Sequence, residues 1–136
     1  MRSEPVILYV EDDASSRKLM SMLLRGRMKL PHVTILEDST DFMKHVEAME
    51  PKPDVVFLDI HVKPHDGFEM LEMLRKLDWM AKTPIVALTA SVMNEEIQKL
   101  GTAGFSGCIA KPIDLNSFPE TLNAILDGEV LWRIAT

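Results

Sequence analysis

The sequence predicts an α/β fold: an open parallel sheet of five strands with helices on both faces. Three observations lead there. Short apolar runs recur five times along the 136 residues, and segments with helical spacing of apolar residues separate them. The clearest runs are nearly continuous rather than alternating, the pattern of strands buried on both faces. Such strands need helices on both sides of the sheet, and crossovers of this length are right-handed.

Each element has its own signature. PVILYV, Pro5 to Val10, is β-branched and almost wholly apolar. Residues 15 to 26 then place Leu19, Met20, Leu23 and Leu24 on one side of a helix. HVTILE, His32 to Glu37, is the second strand, and Phe42, Val46 and Met49 recur at helical spacing after it. DVVFLD, Asp54 to Asp59, is the clearest strand and ends in a carboxylate; Phe68, Leu71, Leu74 and Leu77 mark the next helix. PIVALT, Pro84 to Thr89, is the fourth strand, followed by a short helix anchored by Ile97 and Leu100. Gly101 and Gly104 punctuate the exit from that helix; GFSGCIA, Gly104 to Ala110, is the fifth strand, and Leu115, Phe118, Leu122 and Ile125 mark the last helix.

Composition narrows the class. A chain of this length forms one domain of common size and buries roughly 68% of its unfolded surface. With 46% apolar and 26% charged residues, it is not a wholly disordered chain. One cysteine forms no internal disulfide, so nothing points to an oxidising compartment. The net charge of −6 disfavours direct nucleic-acid binding, which needs a basic face. Arg25, Arg27 and Lys29 read as a solvated helix end. No apolar run approaches the ~20 residues that span a bilayer, and acids come too early for a signal peptide. The expectation is a cytoplasmic protein without membrane contact.

Ligands of open parallel sheets bind beyond the C-terminal ends of the strands. Glu11, Asp12 and Asp13 follow strand one, Asp59 ends strand three, Thr89 ends strand four and Lys111 follows strand five. All fall on one rim, though Glu11 and Lys111 are 100 positions apart. Three converging acids repel unless a cation or protons intervene. Magnesium suits oxygen donors and takes one or two carboxylates, waters and phosphate oxygens. With Lys111 as a second positive charge and Thr89 as a hydroxyl donor, the set forms a phosphoryl-binding constellation. Taken singly the residues have plainer readings: Asp13 or Ser15 as a helix cap, Thr89 as a turn residue, Lys111 as a solvated lysine.

With ILYVEDD and Arg17 downstream, VVFLDIHVKPHDG, PIVALTA and GFSGCIAKPID in that order, the chain closely resembles the response regulator receiver family. The resemblance implies a flavodoxin-like strand order 2-1-3-4-5, with residues 1–128 as the receiver domain and 129–136 as a C-terminal tail without an output domain. It implies Asp59 as phosphoacceptor, Thr89 as the hydroxyl that turns towards the phosphoryl group and Lys111 as its lysine contact. It implies a magnesium ion held by Asp12, Asp59 and the backbone carbonyl of His61, with Glu11 acting largely through water. The Lys111–Pro112 bond is expected to be cis. The implied function is a phosphorelay protein that accepts a phosphoryl group from phosphohistidine on a histidine kinase or phosphotransfer protein and switches contacts with a downstream protein target. Phosphoryl acceptance and acyl-phosphate hydrolysis would be self-catalysed, without turnover of a separate substrate. The alternative is a constitutive protein-binding module that has kept the fold and lost the switch. A magnesium-dependent phosphatase would need a second carboxylate close after the nucleophile, where His61 stands instead.

Two departures from the family pattern matter. Val62 and Lys63 occupy the places usually held by methionine and proline, and proline follows one step later as Pro64. Cys108 stands where many members carry an aromatic ring that moves with the threonine. Without that ring, backbone movement of residues 90 to 96 is the expected relay. Cys108 itself reads as a small buried hydrophobe rather than a thiol sensor. His61 and His65 have the spacing of a helical metal pair, but Pro64 between them argues against a helix. Asp66 is a cap before Gly67, while Asp114 and Ser117 compete for the start of the last helix. Scattered methionines read as core filling. The tail VLWRIA leaves two readings for Trp132: packing on its own domain, or a homodimer or partner contact.

Overall fold

The computed structural model describes residues 4–90 and 93–128 and the backbone of 132–133. Strands β1 (Val6–Val10), β2 (His32–Leu36), β3 (Val55–Asp59), β4 (Ile85–Thr89) and β5 (Gly107–Ala110) are all parallel, in the order β2-β1-β3-β4-β5. Helices α1 (Ala14–Ser21), α2 (Phe42–Ala48), α3 (Gly67–Arg75), α4 (Asn94–Ala103) and α5 (Phe118–Leu126) connect and cover them. The expected α/β sheet is therefore present. A sixth strand, β6 (Trp132–Arg133), adds to it in the tail and pairs in parallel with β5, Cys108 opposite Trp132. The side chain of Trp132 lies outside the described residues, as do residues 91–92 of the expected relay segment.

Period-two alternation splits the core into two layers. Ile7, Tyr9, Val55, Phe57, Val86 and Leu88 face Met20, Leu23 and Leu24 on the α1 side and Phe118, Leu122 and Ile125 of α5. Leu8, Val10, Val56, Leu58, Ala87 and Cys108 face Phe42 and Val46 of α2, Met70, Leu71 and Leu74 of α3, and Leu100 of α4.

Several boundaries differ from the sequence reading, each for a local reason. The first helix stays α-helical only to Ser21 and widens into a π-helical segment, Met22–Arg27, closed by a bond from Met28 N–H to Leu23 O of 2.9 Å. Strand five begins at Gly107 rather than Gly104, because Gly104 (φ 110°) caps α4 in the left-handed region. Leu115 lies in a turn before the last helix and is exposed. Asp114 accepts from Asn116 N–H there at 2.9 Å, and α5 starts at Phe118 with Pro119 in its first turn. Neither competing residue caps that helix in the usual way: Ser117 occupies the N-cap without a side-chain bond.

At the end of the sheet away from the rim, Arg75 ties three segments together. Its guanidinium donates to Met80 O and Thr83 O (both 3.1 Å), to Gly104 O (3.2 Å) and to Ser106 Oγ (3.3 Å). Burial holds its pKa below the ordinary arginine value without threatening its charge.

Candidate phosphoryl site

The register of the central strands delivers the predicted residues to one rim. Val10 pairs with Leu58, Asp59 with Leu88, and Thr89 with Ala110, so Glu11, Asp59, Thr89 and Lys111 all fall at strand ends. Carboxylate oxygens of Glu11, Asp12 and Asp59 lie within 4.8 Å of one another. Glu11 and Asp59 are buried and Asp12 is exposed. Lys111 Nζ sits 2.8 Å from Glu11 Oε1 and 3.8 Å from Asp59 Oδ1. Lys111 N–H donates to Thr89 O at 2.9 Å, which joins the two strand ends that carry the hydroxyl and the lysine. The Lys111–Pro112 bond is cis.

Electrostatics sort the acids into distinct roles. Burial raises the pKa of Asp59 to about 7, helped by its hydrogen bond with Glu11 and the charge there; Lys111 only partly offsets this. Burial also pushes Glu11 upward, but hydrogen bonds with Asp59, Lys111 and Tyr9 overcome it and hold Glu11 below the usual carboxylate value. The pair thus titrates unequally: Glu11 ionises first, and Asp59 is the harder of the two to ionise. Lys111 loses some affinity for its proton through burial, yet Glu11 and Asp59 leave it more basic than a free lysine.

Tyr9 belongs to this network, although the sequence reading passed over it. Its hydroxyl donates to Glu11 Oε1 at 2.9 Å, and burial followed by the Glu11 charge raises its pKa. The signal was available: Tyr9 is a polar-tipped residue in an otherwise apolar strand, two places before Glu11 and so on the same face. Arg17 closes the same corner, donating to Glu11 O at 3.0 Å with Glu37 at 3.9 Å. Asp13 is a helix cap, accepting from Ser16 N–H at 2.9 Å and Ser16 Oγ–H at 2.7 Å. These bonds, the Ser16 hydroxyl first, lower its pKa.

The β3–α3 loop closes the site. His61 is exposed, and its N–H points at Asp59 Oδ1 from 3.5 Å. Val62 is buried, so the departure at the methionine place fills the core with a smaller side chain. The loop returns through Gly67, whose N–H donates to Ile60 O at 3.0 Å. A Cβ on Gly67 would stand 2.7 Å from Ile60 Cδ1 and 2.9 Å from Ile60 Cα, so glycine is required by close approach. Asp66 and Glu69 form a capping box behind it. His65 lies within 3.6 Å of Glu69. The carboxylate cluster includes neither His61 nor His65. Cys108 is fully buried, and burial raises its thiol pKa to about 11, which makes it an inert core residue.

The donor set fits a hard divalent cation: it offers oxygen ligands only, two of them buried side by side, where burial and mutual repulsion penalise the doubly ionised pair that a cation would relieve.

Comparison with known proteins agrees with the geometry. The family model described as the response regulator receiver domain matches residues 7–123. The chain is 29% identical over 108 residues to the signal transduction histidine-protein kinase BarA of Escherichia coli, covering 79% of this chain and 11% of that protein. It is 30% identical over 108 residues to an uncharacterised 14.6 kDa protein from the sodA1 3′ region of Leptolyngbya boryana, covering 79% of each. The receiver domain of sensor histidine kinase PA1611 from Pseudomonas aeruginosa, solved with magnesium in its active-site cleft, superposes with a TM-score of 0.78 at 23% identity, covering 93% of this chain and all of that one.

Fold and site together define a receiver of two-component signalling. The chain belongs to the response regulator receiver domain family. It spans a small part of some relatives, as with BarA, and most of others. Among the described residues, no helix is long and apolar enough to cross a membrane.

Proposed function

We propose that this chain accepts a phosphoryl group on Asp59 from the phosphohistidine of a histidine kinase or phosphotransfer protein, and that the modified domain then changes its contacts with a downstream protein. The observation that carries this reading is the buried Glu11–Asp59 pair with Lys111 beside both and exposed Asp12 within 4.8 Å. In the transfer, an ionised Asp59 oxygen attacks phosphorus, the phosphorus–nitrogen bond breaks, and its electron pair leaves with the donor imidazole.

Asp12, Asp59 and the His61 carbonyl would hold magnesium, with Glu11 behind them. The ion would neutralise the acids and the incoming phosphoryl oxygens. Lys111 is oriented by Glu11 and needs to move little to meet a phosphoryl oxygen. Thr89, buried at the end of β4, supplies a hydroxyl donor from the neighbouring strand. Acceptance and later hydrolysis of the acyl phosphate are self-catalysed, and no separate substrate is turned over.

Intact-mass measurement tests the reading. Incubation with a small phosphoryl donor and magnesium should add the mass of one phosphoryl group, and Asp59→Asn should abolish the addition. An unchanged wild-type mass at saturating donor, with magnesium shown to bind, would sink it. Magnesium should also raise the melting temperature, since it binds the folded cluster alone, and Asp12→Ala should shrink that rise. An equal rise in both proteins would place the ion elsewhere.

A further inference from the structure

We propose that Ser39, on the connection between β2 and α2, is a positioning residue for the phosphoryl site: it clamps the 61–66 loop and thereby sets where the His61 peptide stands beside Asp59. The inference rests on the reading of Asp59 as phosphoacceptor.

Five polar or charged residues with described side chains are buried: Glu11, Ser39, Asp59, Thr89 and Thr121. Three belong to the rim. Thr121 donates back to Ser117 O within its own helix. Ser39 remains, completely buried, and its bonds run to a loop 26 residues away. Its hydroxyl donates to His65 O at 2.7 Å and accepts from His65 N–H at 2.7 Å, so one side chain satisfies both polar groups of one residue. Its own N–H donates to Lys63 O at 3.2 Å.

These three bonds grip the stretch in which the chain departs from the family pattern. That stretch leaves Asp59, passes His61 with its N–H facing Asp59 Oδ1, buries Val62, and returns to β3 at Gly67. Val62 and Gly67 fix it from the core side; Ser39 fixes it from the neighbouring connection. A backbone polar group that loses a buried partner must find another. Without the Ser39 hydroxyl, the His65 peptide groups would turn towards water and the loop would shift against Asp59. Groups behind the ligands of a metal site commonly control its affinity in this way.

The test compares wild type, Ser39→Ala, Ser39→Thr and Thr121→Val in the full chain. Three quantities are read: magnesium affinity by calorimetry, the backbone amide shifts of His61 and Val62, and phosphoryl uptake from a small donor. Ser39→Ala should weaken magnesium binding by about tenfold, move both amides and slow uptake. Ser39→Thr keeps the hydroxyl and should recover most of the loss. Thr121→Val removes a buried hydroxyl elsewhere and should lower the melting temperature without touching magnesium affinity. Wild-type affinity and unmoved amides in Ser39→Ala would overturn the proposal, as would an equal loss of affinity in Thr121→Val. A wild type that takes no phosphoryl group would bring down the reading of Asp59, and the role of Ser39 with it. A Ser39→Ala protein phosphorylated as fast as a competent wild type would bring down the role of Ser39 alone.

Discussion

Helices α3 and α4 follow adjacent strands, one ending in Asp59 and the other in Thr89, yet they are held very differently. Helix α3 buries Gly67, Met70, Leu71 and Leu74, opens with a reciprocal capping box, and ends in the Arg75 tie. Helix α4 is one residue longer but buries Leu100 alone, and its N-cap is Met93, 66% exposed, whose side chain makes no capping bond. Asp59, the proposed phosphoacceptor, therefore stands beside a fixed element, while Thr89, the hydroxyl proposed to answer it, stands beside a yielding one. A signal that displaces backbone should appear in α4, because fewer buried contacts oppose it there.

The strongest way to break this contrast is Gly67→Ala. The new Cβ has no room against Ile60, so the variant should lose about 3 kcal/mol of stability by denaturant unfolding, or fail to fold. A neutral result would show that α3 can slide.

Ionisation offers a second probe of the fixed side. Asp59 holds its proton to about pH 7 in the folded state, against an ordinary value of 3.8. The folded protein thus binds that proton more tightly than the unfolded chain. The associated stability is present below the ordinary value and is lost as pH rises through about 7. Asp59→Asn should escape the loss and gain on wild type by on the order of 2 kcal/mol between pH 5 and pH 8 without magnesium. Parallel melting curves for the two proteins across that range would refute the buried-proton account. Glu11, whose pKa is lowered, acts in the opposite sense and loses its contribution at acid pH instead.

Hydrogen exchange compares the helices directly. Amides of residues 97–101 should exchange about tenfold faster than those of 70–74, the equivalent of about 1.4 kcal/mol of local opening. Equal protection would remove the basis for assigning the movement to α4. The smallest expected effect concerns the caps. Asp66→Ala should cost about 1 kcal/mol, whereas Met93→Asp should stabilise by roughly 0.5 kcal/mol, both by thermal melting.

Much of this was legible in the sequence because apolar strand cores and polar strand ends are local patterns. DVVFLD announces both a buried strand and a carboxylate at its rim, and the rim residues follow once the sheet is parallel. The network behind the rim was harder to read. Ser39 is an ordinary serine among polar neighbours, and its meaning comes from a loop 26 residues away. The pairing of β6 with β5 is equally long-range, and two residues of strand leave no pattern. The widened turn after Ser21 was hidden for another reason: Leu23 and Leu24 fit either winding, and bonds that span one more residue leave both buried. Gly104 was read both as the start of the compact, apolar run GFSGCIA and as an end signal of the helix before it; its positive φ decides for the helix.

Arg75 gives the contrast between the helices a mechanical form. It bonds to Gly104 O, the carbonyl at the C-terminal end of α4, and to Ser106 Oγ just beyond. One end of α4 is thus tied to Arg75 at the end of α3, away from the rim, while Met93 at the other end makes no side-chain capping bond. A rod of ten residues is about 15 Å long, so a tilt of about 10° about the tied end carries the other through about 2.5 Å. A pivot at Gly104 would make α4 a lever, and a small displacement near Thr89 would then be magnified along the surface of the domain.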